Sequence, residues 1–346
     1  MTKALVTGST GFLGANLVAA LNERNIEVIG LKRKNSPDDA IGGLKLTFAV
    51  GDILDAESLV GAMKGVDWVF HAAAVADYWR TPKEIIYKVN VDGARNVLEA
   101  ALKAKVKRLV MTSSAAALGM PTKERPIRDE TDQFDMHPDE SPLYHYGHSK
   151  HIAEQVMKEY VAKGLDAVSV LPTGIIGPRD FKFNAGEAIA QALKPSLPVI
   201  PLSKGGVNWI DVRDCVNTLI AAAETGRAGE RYVLGGHNNT HRETVQLINQ
   251  VLGTSLSVVE TPRWFMGMLA QLVWPLQKLG LPVDKGRVLV SREYVYFNNA
   301  KAVKELGLTA RPFTDSIRDT YLWYAENNYL TKRGIPEAPA FKNKAS

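Results

Sequence analysis

Two side chains that could move a proton lie four residues apart in the segment Tyr146-Gly-His-Ser-Lys150. On a helix this spacing places both on one face, with Cβ atoms about 5 to 6 Å apart. A free tyrosine titrates at about pH 10, and a neighbouring ammonium favours the phenolate, so the pair could donate or accept a proton nearer to neutral pH. Many surface helices contain this spacing by chance, so its meaning depends on the segments around it.

A glycine-rich turn, TGSTGFLG, directly follows the apolar run Ala4-Leu5-Val6 and opens a segment of helical period. In this context Gly8 permits a tight turn, Gly11 lets the backbone approach a pyrophosphate, and Gly14 lets helix and strand pack closely. The helix N-terminus offers unpaired N–H groups to the anion. A P-loop is disfavoured because no Gly-Lys-Ser/Thr follows, and a turn without a ligand is the alternative. The predicted dinucleotide-binding residues of this turn are Gly8, Thr10, Gly11, Phe12, Leu13 and Gly14.

The end of the second predicted strand distinguishes between two forms of the dinucleotide. An acidic residue there would bond a ribose hydroxyl of NAD, whereas basic residues accommodate the extra phosphate of NADP. The segment reads Lys32-Arg33-Lys34, and the first acidic residue after Gly30 is Asp38. We therefore predict a preference for NADPH, with Arg33 binding the 2′-phosphate and Lys32 assisting. A solvated cluster of loop charges is the alternative.

The ends of the next two predicted strands supply further candidate contacts. Asp52 can accept a hydrogen bond from the adenine amino group, or it can form a turn, and Ile53 can pack on the adenine ring. Asp55 is better placed as the N-cap of the following helix. Ala72 and Ala73 are small enough to let the cofactor approach the sheet.

These candidates need a scaffold, and the chain supplies one in which short apolar runs alternate with longer segments of helical period. That alternation predicts an α/β fold with a doubly wound parallel sheet, the Rossmann fold. The predicted strands are Ala4 to Val6, Val28 to Leu31, Leu46 to Val50, Trp68 to His71, Leu109 to Thr112, Ala167 to Leu171 and Arg231 to Leu234. The predicted long helices are Glu84 to Lys103, Tyr146 to Lys163 and Val207 to Glu224.

The chain of 346 residues is long enough for about two units. We predict that residues 1–174 with 207–236 form the dinucleotide-binding domain. Residues 175–206 with 237–330 form a smaller, discontinuous C-terminal substrate lobe, and residues 331–346 form a mobile tail.

Composition excludes several other classes. The net charge is 42 − 37 = +5, a modest excess that does not require nucleic acid as a partner. Cys215 is the single cysteine, so no internal disulfide forms, and we expect a reducing, cytoplasmic compartment. The N-terminus lacks the pattern of a cleaved signal. The apolar stretch Trp264 to Leu281 is too interrupted for a spanning helix, so membrane contact is not expected.

No metal site is predicted, although His145, His148 and His151 crowd the tyrosine segment. The chain contains neither a His-Glu-x-x-His motif nor a pair of cysteines. His71 ends a predicted strand, and we interpret it as a packing residue.

Taken together, the segments TGSTGFLG, GDILD, HAAA, TSSAAALG, YGHSK, PTGIIGP and NWIDVRDCV resemble the extended short-chain dehydrogenase/reductase family, also called the NAD-dependent epimerase/dehydratase superfamily. The resemblance runs from about residue 3 to residue 330. It implies a triad in which Tyr146 is the general acid/base, Lys150 lowers the pKa of that tyrosine and holds ribose, and Ser114 orients the reacting oxygen. Ser114 is preferred over Ser113 because the active hydroxyl of the family lies five residues before the glycine, here Gly119.

The resemblance also implies cofactor contacts at Pro172 and Thr173, a structural or water-organising role for Asn90, and a homodimer through the two long helices Glu84 to Lys103 and Tyr146 to Lys163.

The activity implied is NADPH-dependent reduction of a hydrophobic or flavonoid-like aldehyde or ketone, as in dihydroflavonol reductases and hydroxysteroid dehydrogenases, with Tyr146 as proton donor. A nucleotide-sugar epimerase or dehydratase would use the same triad, but such enzymes typically have an acidic residue after the second strand. A catalytically silent dinucleotide-binding protein is a third reading. Candidate residues for an apolar substrate pocket are Val75, Tyr78, Trp79, Leu118, Met120, Ile175, Phe181, Phe183, Trp209 and the segment Trp264 to Trp274.

Overall fold

A computed structural model describes residues 2–38, 40–78, 81–138, 143–196, 199–262, 264–269, 271, 288 and 291–342. The strands are β1 (Lys3–Thr7), β2 (Glu27–Lys32), β3 (Thr47–Val50), β4 (Trp68–His71), β5 (Arg108–Thr112), β6 (Ala167–Pro172), β7 (Gly174–Ile176), β8 (Val199–Ser203), β9 (Gly206–Asp211), β10 (Arg231–Leu234), β11 (His237–Thr240), β12 (Ser257–Thr261) and β13 (Tyr294–Val295).

The α-helices are α1 (Phe12–Glu23), α2 (Ala56–Ala62), α3 (Lys83–Tyr87), α4 (Gly93–Ala104), α5 (Tyr144–Ala162), α6 (Gly186–Leu193), α7 (Val212–Thr225), α8 (His241–Leu252), α9 (Ala300–Leu306), α10 (Phe313–Glu326) and α11 (Tyr329–Lys332). A π-helical turn spans Lys88–Asp92, and short 3₁₀ helices span Ala115–Leu118 and Pro339–Phe341.

The central element is a seven-stranded sheet with the order β10-β6-β5-β4-β1-β2-β3, in which all neighbouring strands are parallel. This arrangement confirms the predicted doubly wound Rossmann fold. The chain runs outward from β1 to β3 and then returns to place β4 on the other side of β1. The carboxyl ends of β1 and β4 therefore flank the switch point at which such sheets bind ligands.

Helices cover both faces of this sheet, which is why its inner strands are apolar on both sides. On one face α1 and α7 pack together, with Leu17 and Leu219 fully buried between helix and sheet. On the other face α2, α4 and α5 enclose a second core that includes Leu98 and Val156. Both faces of the sheet are thereby covered by helices, and its carboxyl edge is left for a ligand.

A smaller set of strands and helices is built beside the sheet. β9 pairs with β7 and β13 in parallel and with β11 antiparallel, while β8 and β12 form a separate parallel pair. Helices α6, α8 and α10 enclose their own core, with Ile189, Leu252 and Tyr324 fully buried. The division of the chain at the boundaries predicted from the sequence stays a prediction.

The prediction of a helix from Val207 to Glu224 is wrong for its first five residues. The segment Gly206–Asp211 is strand β9, in which buried and partly exposed side chains alternate. The helix begins only at Val212, because Asp211 is extended and its side chain accepts a hydrogen bond from Arg213 N at 2.8 Å as the N-cap.

The segment after α11 packs on the smaller lobe up to residue 342, and the mobile tail expected for residues 331–346 stays a prediction. Ala338 is fully buried and its N–H donates to the Tyr321 hydroxyl at 2.9 Å. The ring of Phe341 lies 4.8 Å from that of Tyr321. Apolar contacts made across the fold, which local composition does not reveal, hold this segment.

Several predicted positions lie outside the described residues, among them Trp79 and most of the segment from residue 264 to residue 281. Within the described part, Trp264 is 70% exposed, so it is not a core residue of the lobe. None of the described helices combines the length and apolar character needed to cross a membrane.

Candidate active site

The glycine turn after β1 is held by contacts that only glycine permits. Gly8 has φ +69°, and a Cβ there would lie 2.8 Å from the backbone nitrogen of Ala73. A Cβ on Gly14 would lie 2.1 Å from the carbonyl oxygen of Gly8, and Gly11 N donates to the same oxygen at 2.9 Å. The turn is therefore packed tightly against α1 on one side and the end of β4 on the other.

Helix α1 begins in this turn without a side-chain cap. Gly11 is the N-cap, no side chain accepts from the first turn, and no acidic residue lies in it. The N–H groups at Phe12 and Leu13, together with the helix dipole, are left for an anion. This geometry fits the pyrophosphate of a dinucleotide, with Thr10 in the same turn.

A surface cleft of about 510 Å³ lies further along the same edge of the sheet. Arg33 and Asp52, predicted from two different strand ends, both line it, together with Lys34, Asn35, Val50 and Gly51. Lys32 does not line the cleft: its Nζ forms an ion pair with Asp38 at 2.8 Å and lies 4.2 Å from the ring centroid of Phe48. Arg33 is exposed and makes no ion pair with any described residue.

The residues after β3 combine turn and packing roles. One carboxylate oxygen of Asp52 accepts a hydrogen bond from Leu54 N at 2.9 Å, and the other has no described partner. Ile53 is 7% exposed and packs against the start of α4, where a Cβ on Gly93 would lie 2.7 Å from it. The predicted N-cap role of Asp55 is confirmed, since its side chain accepts from two N–H groups in the first turn of α2.

Ser114, Tyr146 and Lys150 come together beyond the carboxyl end of β5. Ser114 lies two residues beyond the end of β5 and caps the 3₁₀ helix that follows, and hydrogen bonding by its side chain lowers the pKa of Tyr146. Lys150 is 6% exposed, and its Nζ donates to the carbonyl oxygen of Thr112 at 2.9 Å. The alternative serine, Ser113, has a buried hydroxyl without a hydrogen-bond partner in the described chain.

Burial controls the proton equilibria of this cluster. It raises the pKa of Tyr146 above its usual value, and the hydrogen bond from Ser114 offsets part of that rise. The direction is opposite to that expected from the lysine alone, because burial of the phenol outweighs the effects that lower its pKa. Burial also lowers the pKa of Lys150 to about 8, with Glu154 opposing the fall. At neutral pH the site therefore holds a neutral phenol beside an ammonium.

His71 is a neutral structural link, in line with the packing role assigned to it. Burial, with a contribution from Lys150, lowers its pKa to about 3. Its Nδ1 lies 2.8 Å from the Thr7 hydroxyl, which also accepts a hydrogen bond from Ala73 N at 3.1 Å. This chain of contacts holds the backbone at Ala72 and Ala73 next to the glycine turn.

Asn90 joins two segments that border Tyr146. Its side chain accepts from Val75 N at 2.8 Å and donates to Val75 O at 3.1 Å and to the Ser149 hydroxyl at 3.0 Å. Ser149 in turn donates to the backbone oxygen of Tyr146 at 2.7 Å. Asn90 therefore positions the loop after β4 against the first turn of α5. Ser149 was not singled out from the sequence, where one serine in a helix gives no signal.

The predicted apolar pocket divides into two groups. Tyr78 lies at the site, where its ring stacks on that of Tyr146 at 5.6 Å with an interplanar angle of 28°. Leu118, Phe183 and Trp209 instead pack into the cores, and Phe183 stacks on a tyrosine of α10 at 4.1 Å. Whether an apolar residue lies at the site or in a core depends on contacts between distant parts of the chain. The hydrophobicity of the residue alone does not reveal it.

Pro172 and Thr173 lie at the end of β6, beside the strand that precedes Ser114. Pro172 is buried, and the Thr173 hydroxyl donates to Asn208 Oδ1 at 2.8 Å, which links the large sheet to β9.

The hydroxyl of Tyr87 lies 3.3 Å from His145 Nδ1 and 2.8 Å from His148 Nδ1.

The family model of the NAD dependent epimerase/dehydratase family matches residues 4–235. The chain is 33% identical over 335 residues to a dihydroflavonol 4-reductase-like protein of Synechocystis sp., covering 94% of this chain and 95% of that protein.

Solved structures agree over nearly the full length. The crystal structure of gox2253 superposes with a TM-score of 0.80 at 32% identity, covering 94% of this chain and 98% of the other. DesIV, a dTDP-glucose 4,6-dehydratase from Streptomyces venezuelae solved with NAD bound, gives a TM-score of 0.76 at 25% identity, covering 95% and 98%. The chain belongs to the NAD dependent epimerase/dehydratase family, the extended short-chain dehydrogenases/reductases, and is an NAD(P)-dependent enzyme of that type.

Proposed function

We propose that this enzyme is an NADPH-dependent reductase that converts a hydrophobic or flavonoid-like aldehyde or ketone to an alcohol. The observation that carries the proposal is the meeting of Ser114, Tyr146 and Lys150 at the sheet edge that also bears the glycine turn. The similarity to a dihydroflavonol 4-reductase-like protein adds support for a reductase.

The residues proposed to hold the dinucleotide are distributed along this edge. The uncapped start of α1 would take the pyrophosphate, and the cleft with Arg33 and Asp52 would take the adenosine end. The proposed set is Gly8, Thr10, Gly11, Phe12, Leu13, Gly14, Lys32, Arg33, Asp52, Ile53, Ala72, Ala73, Tyr146, Lys150, Pro172 and Thr173. When bound, NADPH supplies the hydride that reduces the carbonyl carbon.

The chain supplies the proton and the electrostatic support. Because burial raises its pKa, Tyr146 keeps its proton at neutral pH and donates it to the carbonyl oxygen as negative charge develops there. Ser114 donates a hydrogen bond to that oxygen, and the ammonium of Lys150 stabilises the phenolate that remains. The tyrosine then regains a proton from solvent, so each turnover consumes one hydride and one proton.

Loss of the proton donor is the first test. Tyr146→Phe should bind NADPH with unchanged affinity, measured by quenching of protein fluorescence, and lose most of its turnover of aldehydes and ketones, measured as absorbance loss at the NADPH band. Tyr144→Phe, on the same helix, is the matched control. Unchanged turnover of Tyr146→Phe would remove this tyrosine from the mechanism. Tight retention of dinucleotide with epimerisation of a sugar nucleotide would replace the reductase by the epimerase reading.

Cofactor preference has its own test at the cleft. Arg33→Ala should weaken NADPH binding about tenfold or more while NADH binding stays constant, because a charged hydrogen bond to the 2′-phosphate contributes roughly 1.5–3 kcal/mol. Lys32→Ala should have a smaller effect, since Asp38 already pairs with that ammonium. An unchanged ratio of the two affinities in Arg33→Ala would contradict the preference.

A homodimer through α4 and α5 and a cytoplasmic location also stay proposals. The exposed sides of these two helices form one surface on which Arg95 pairs with Glu159 at 3.1 Å and Lys103 with Glu99 at 3.1 Å. Sedimentation at micromolar concentration should give a dimer that weakens with salt, because exposed charges are screened. A monomer at low salt would contradict the pairing.

A further inference from the structure

Tyr146, Lys150 and Glu154 follow one another on helix α5 at intervals of four residues, so these ionisable side chains lie on one face. The first two belong to the proposed catalytic centre. Glu154 has no part in the mechanism described above, yet it is 1% exposed. A carboxylate this deeply buried is costly unless its charge is compensated, so its surroundings are informative.

Both oxygens of Glu154 have partners on the neighbouring strands. Oε1 accepts from the Ser169 hydroxyl of β6 at 3.1 Å, and Oε2 accepts from Arg231 Nη1 of β10 at 3.2 Å. The remaining donors of Arg231 are directed to the backbone oxygens of Glu130 and Asp132. Glu154 is therefore the carboxylate that faces this guanidinium, and the two form a neutral buried pair.

Lys150 lies one helical turn before Glu154 and needs a counter-charge. Within the described chain no carboxylate forms a direct ion pair with it, and its Nζ donates to the backbone oxygen of Thr112. From β4 it faces His71, which is neutral and brings no negative charge. Burial works against the ammonium, and Glu154 is the group that opposes this effect.

We propose that Glu154 is a positioning residue of the catalytic centre, whose buried carboxylate holds Lys150 as an ammonium while Arg231 limits how much of that negative charge the lysine experiences. The inference rests on the proposed function, in which that ammonium stabilises the phenolate of Tyr146. Other charges near the pair come from His151 and Lys158 on α5, and from Lys301, which donates to Arg231 O at 2.8 Å.

The proposal makes two predictions of opposite sign for the pH dependence of kcat. Glu154→Gln removes the negative charge, so the alkaline limb of the profile should move to lower pH by about one unit, the shift typical of a nearby opposite charge. Arg231→Gln leaves the carboxylate unopposed, so the same limb should move to higher pH. Ser169→Ala retains both charges and should leave the limb in place.

Glu159→Gln is the matched control, since Glu159 is an exposed carboxylate on the same helix, paired at the surface with Arg95. It should not move the limb. A second readout avoids turnover altogether: the pH titration of the Lys150 side chain by NMR in protein labelled at lysine Cε, with the resonance assigned by its loss in Lys150→Met. The titration midpoint should shift in the same directions as the limb of the profile.

A purely structural Glu154 would lower the unfolding temperature in both variants and move neither the limb nor the midpoint, which would overturn the proposal. Shifts of the same sign in Glu154→Gln and Arg231→Gln would also overturn it. If Glu154→Gln does not fold, the upward shift in Arg231→Gln decides the question alone. If no carbonyl compound is reduced by the wild-type enzyme, the proposed function fails, but the NMR titration still tests the coupling of Glu154 to Lys150.

Discussion

Two neighbouring side chains act on Tyr146: hydrogen bonding by Ser114 lowers its pKa, and the ring of Tyr78 stacks on its own ring. The first acts on the phenolic proton, and the second covers one face of the Tyr146 ring. Since Tyr78 lies in the loop after β4, whose base Asn90 holds at Val75, its ring has a defined place over the site. Under the proposed function, Tyr78 is placed to contact an aromatic carbonyl substrate.

Replacement of Tyr78 should therefore affect aromatic and aliphatic carbonyl substrates differently. Tyr78→Ala should raise KM for flavonoid-like ketones about twofold to tenfold, because an aromatic pair contributes roughly 0.5–1.5 kcal/mol beyond the area it buries. KM for a short aliphatic aldehyde should change little, and Tyr78→Phe should behave like the wild type with both. Equal changes in KM for the two substrate classes would contradict a stacking role.

At the scale of elements, the strands of the large sheet could be predicted to within one or two residues, because continuous apolar runs are typical of strands buried on both faces. The sequence predicts one helix from Glu84 to Lys103, and the π-helical turn that interrupts it could not be predicted. Within the π-helical turn Lys88–Asp92, Asn90 is buried and hydrogen-bonds partners on the loop after β4 and on α5. Those partners are distant in the sequence.

At the candidate site, local sequence patterns identify some residues and leave others hidden. The four-residue spacing is enough to place Tyr146 and Lys150 on one helical face. The glycine turn after β1 is likewise predicted from the spacing of its glycines in a short segment. Glu154 lies on that face too, but a glutamate in a helix is usually solvated, and only the packing of β6 and β10 against α5 shows that it is buried. Long-range contacts, which no local pattern contains, account for the difference.

Asn90 provides a prediction for the element that it organises. Asn90→Ala leaves the partly buried N–H and carbonyl of Val75 without their partners, and because water can reach them in part, the two losses together cost about 1–3 kcal/mol. The free energy of unfolding in urea should fall by roughly that amount, and kcat should fall as well, since Tyr146 loses its link to the loop. Ser149→Ala, which breaks one hydrogen bond of the same link, should show a smaller loss of both. Reduced stability with wild-type kcat would show that Asn90 holds the fold without positioning the tyrosine.

At the scale of the whole molecule, the neutral imidazole of His71 holds the carboxyl ends of β1 and β4 together. His71 is 4% exposed, and its neutral ring contacts Thr7, whose hydroxyl also binds Ala73 N. A charged ring at this depth would face the ammonium of Lys150 without a counter-ion. The integrity of the sheet edge therefore depends on pH through one buried histidine, in addition to the carboxylates that make most proteins unstable in acid.

The sign of this dependence follows from the two pKa values of His71. In the unfolded chain the imidazole takes up a proton near pH 6.5, whereas burial lowers the pKa to about 3 in the folded protein. The stabilising contribution is complete above pH 6.5 and is lost as the pH falls toward 3, because only the unfolded state gains the proton. Over that range one such group lowers the free energy of unfolding by about 1.4 kcal/mol per pH unit. His71→Asn should remove this slope.

The measurement is urea unfolding of the wild type and of His71→Asn at several pH values between about 7.5 and 5. The difference between the two unfolding free energies isolates the contribution of His71 from that of the other titratable groups. The pKa values of His145, His148, His151 and His241 are also lowered by burial, but these residues are common to both proteins and cancel in the difference. The gap between the two stability curves should therefore narrow steadily below pH 6.5. Curves that stay parallel would mean that His71 is protonated in the folded protein, and that the edge of the sheet tolerates two neighbouring cations.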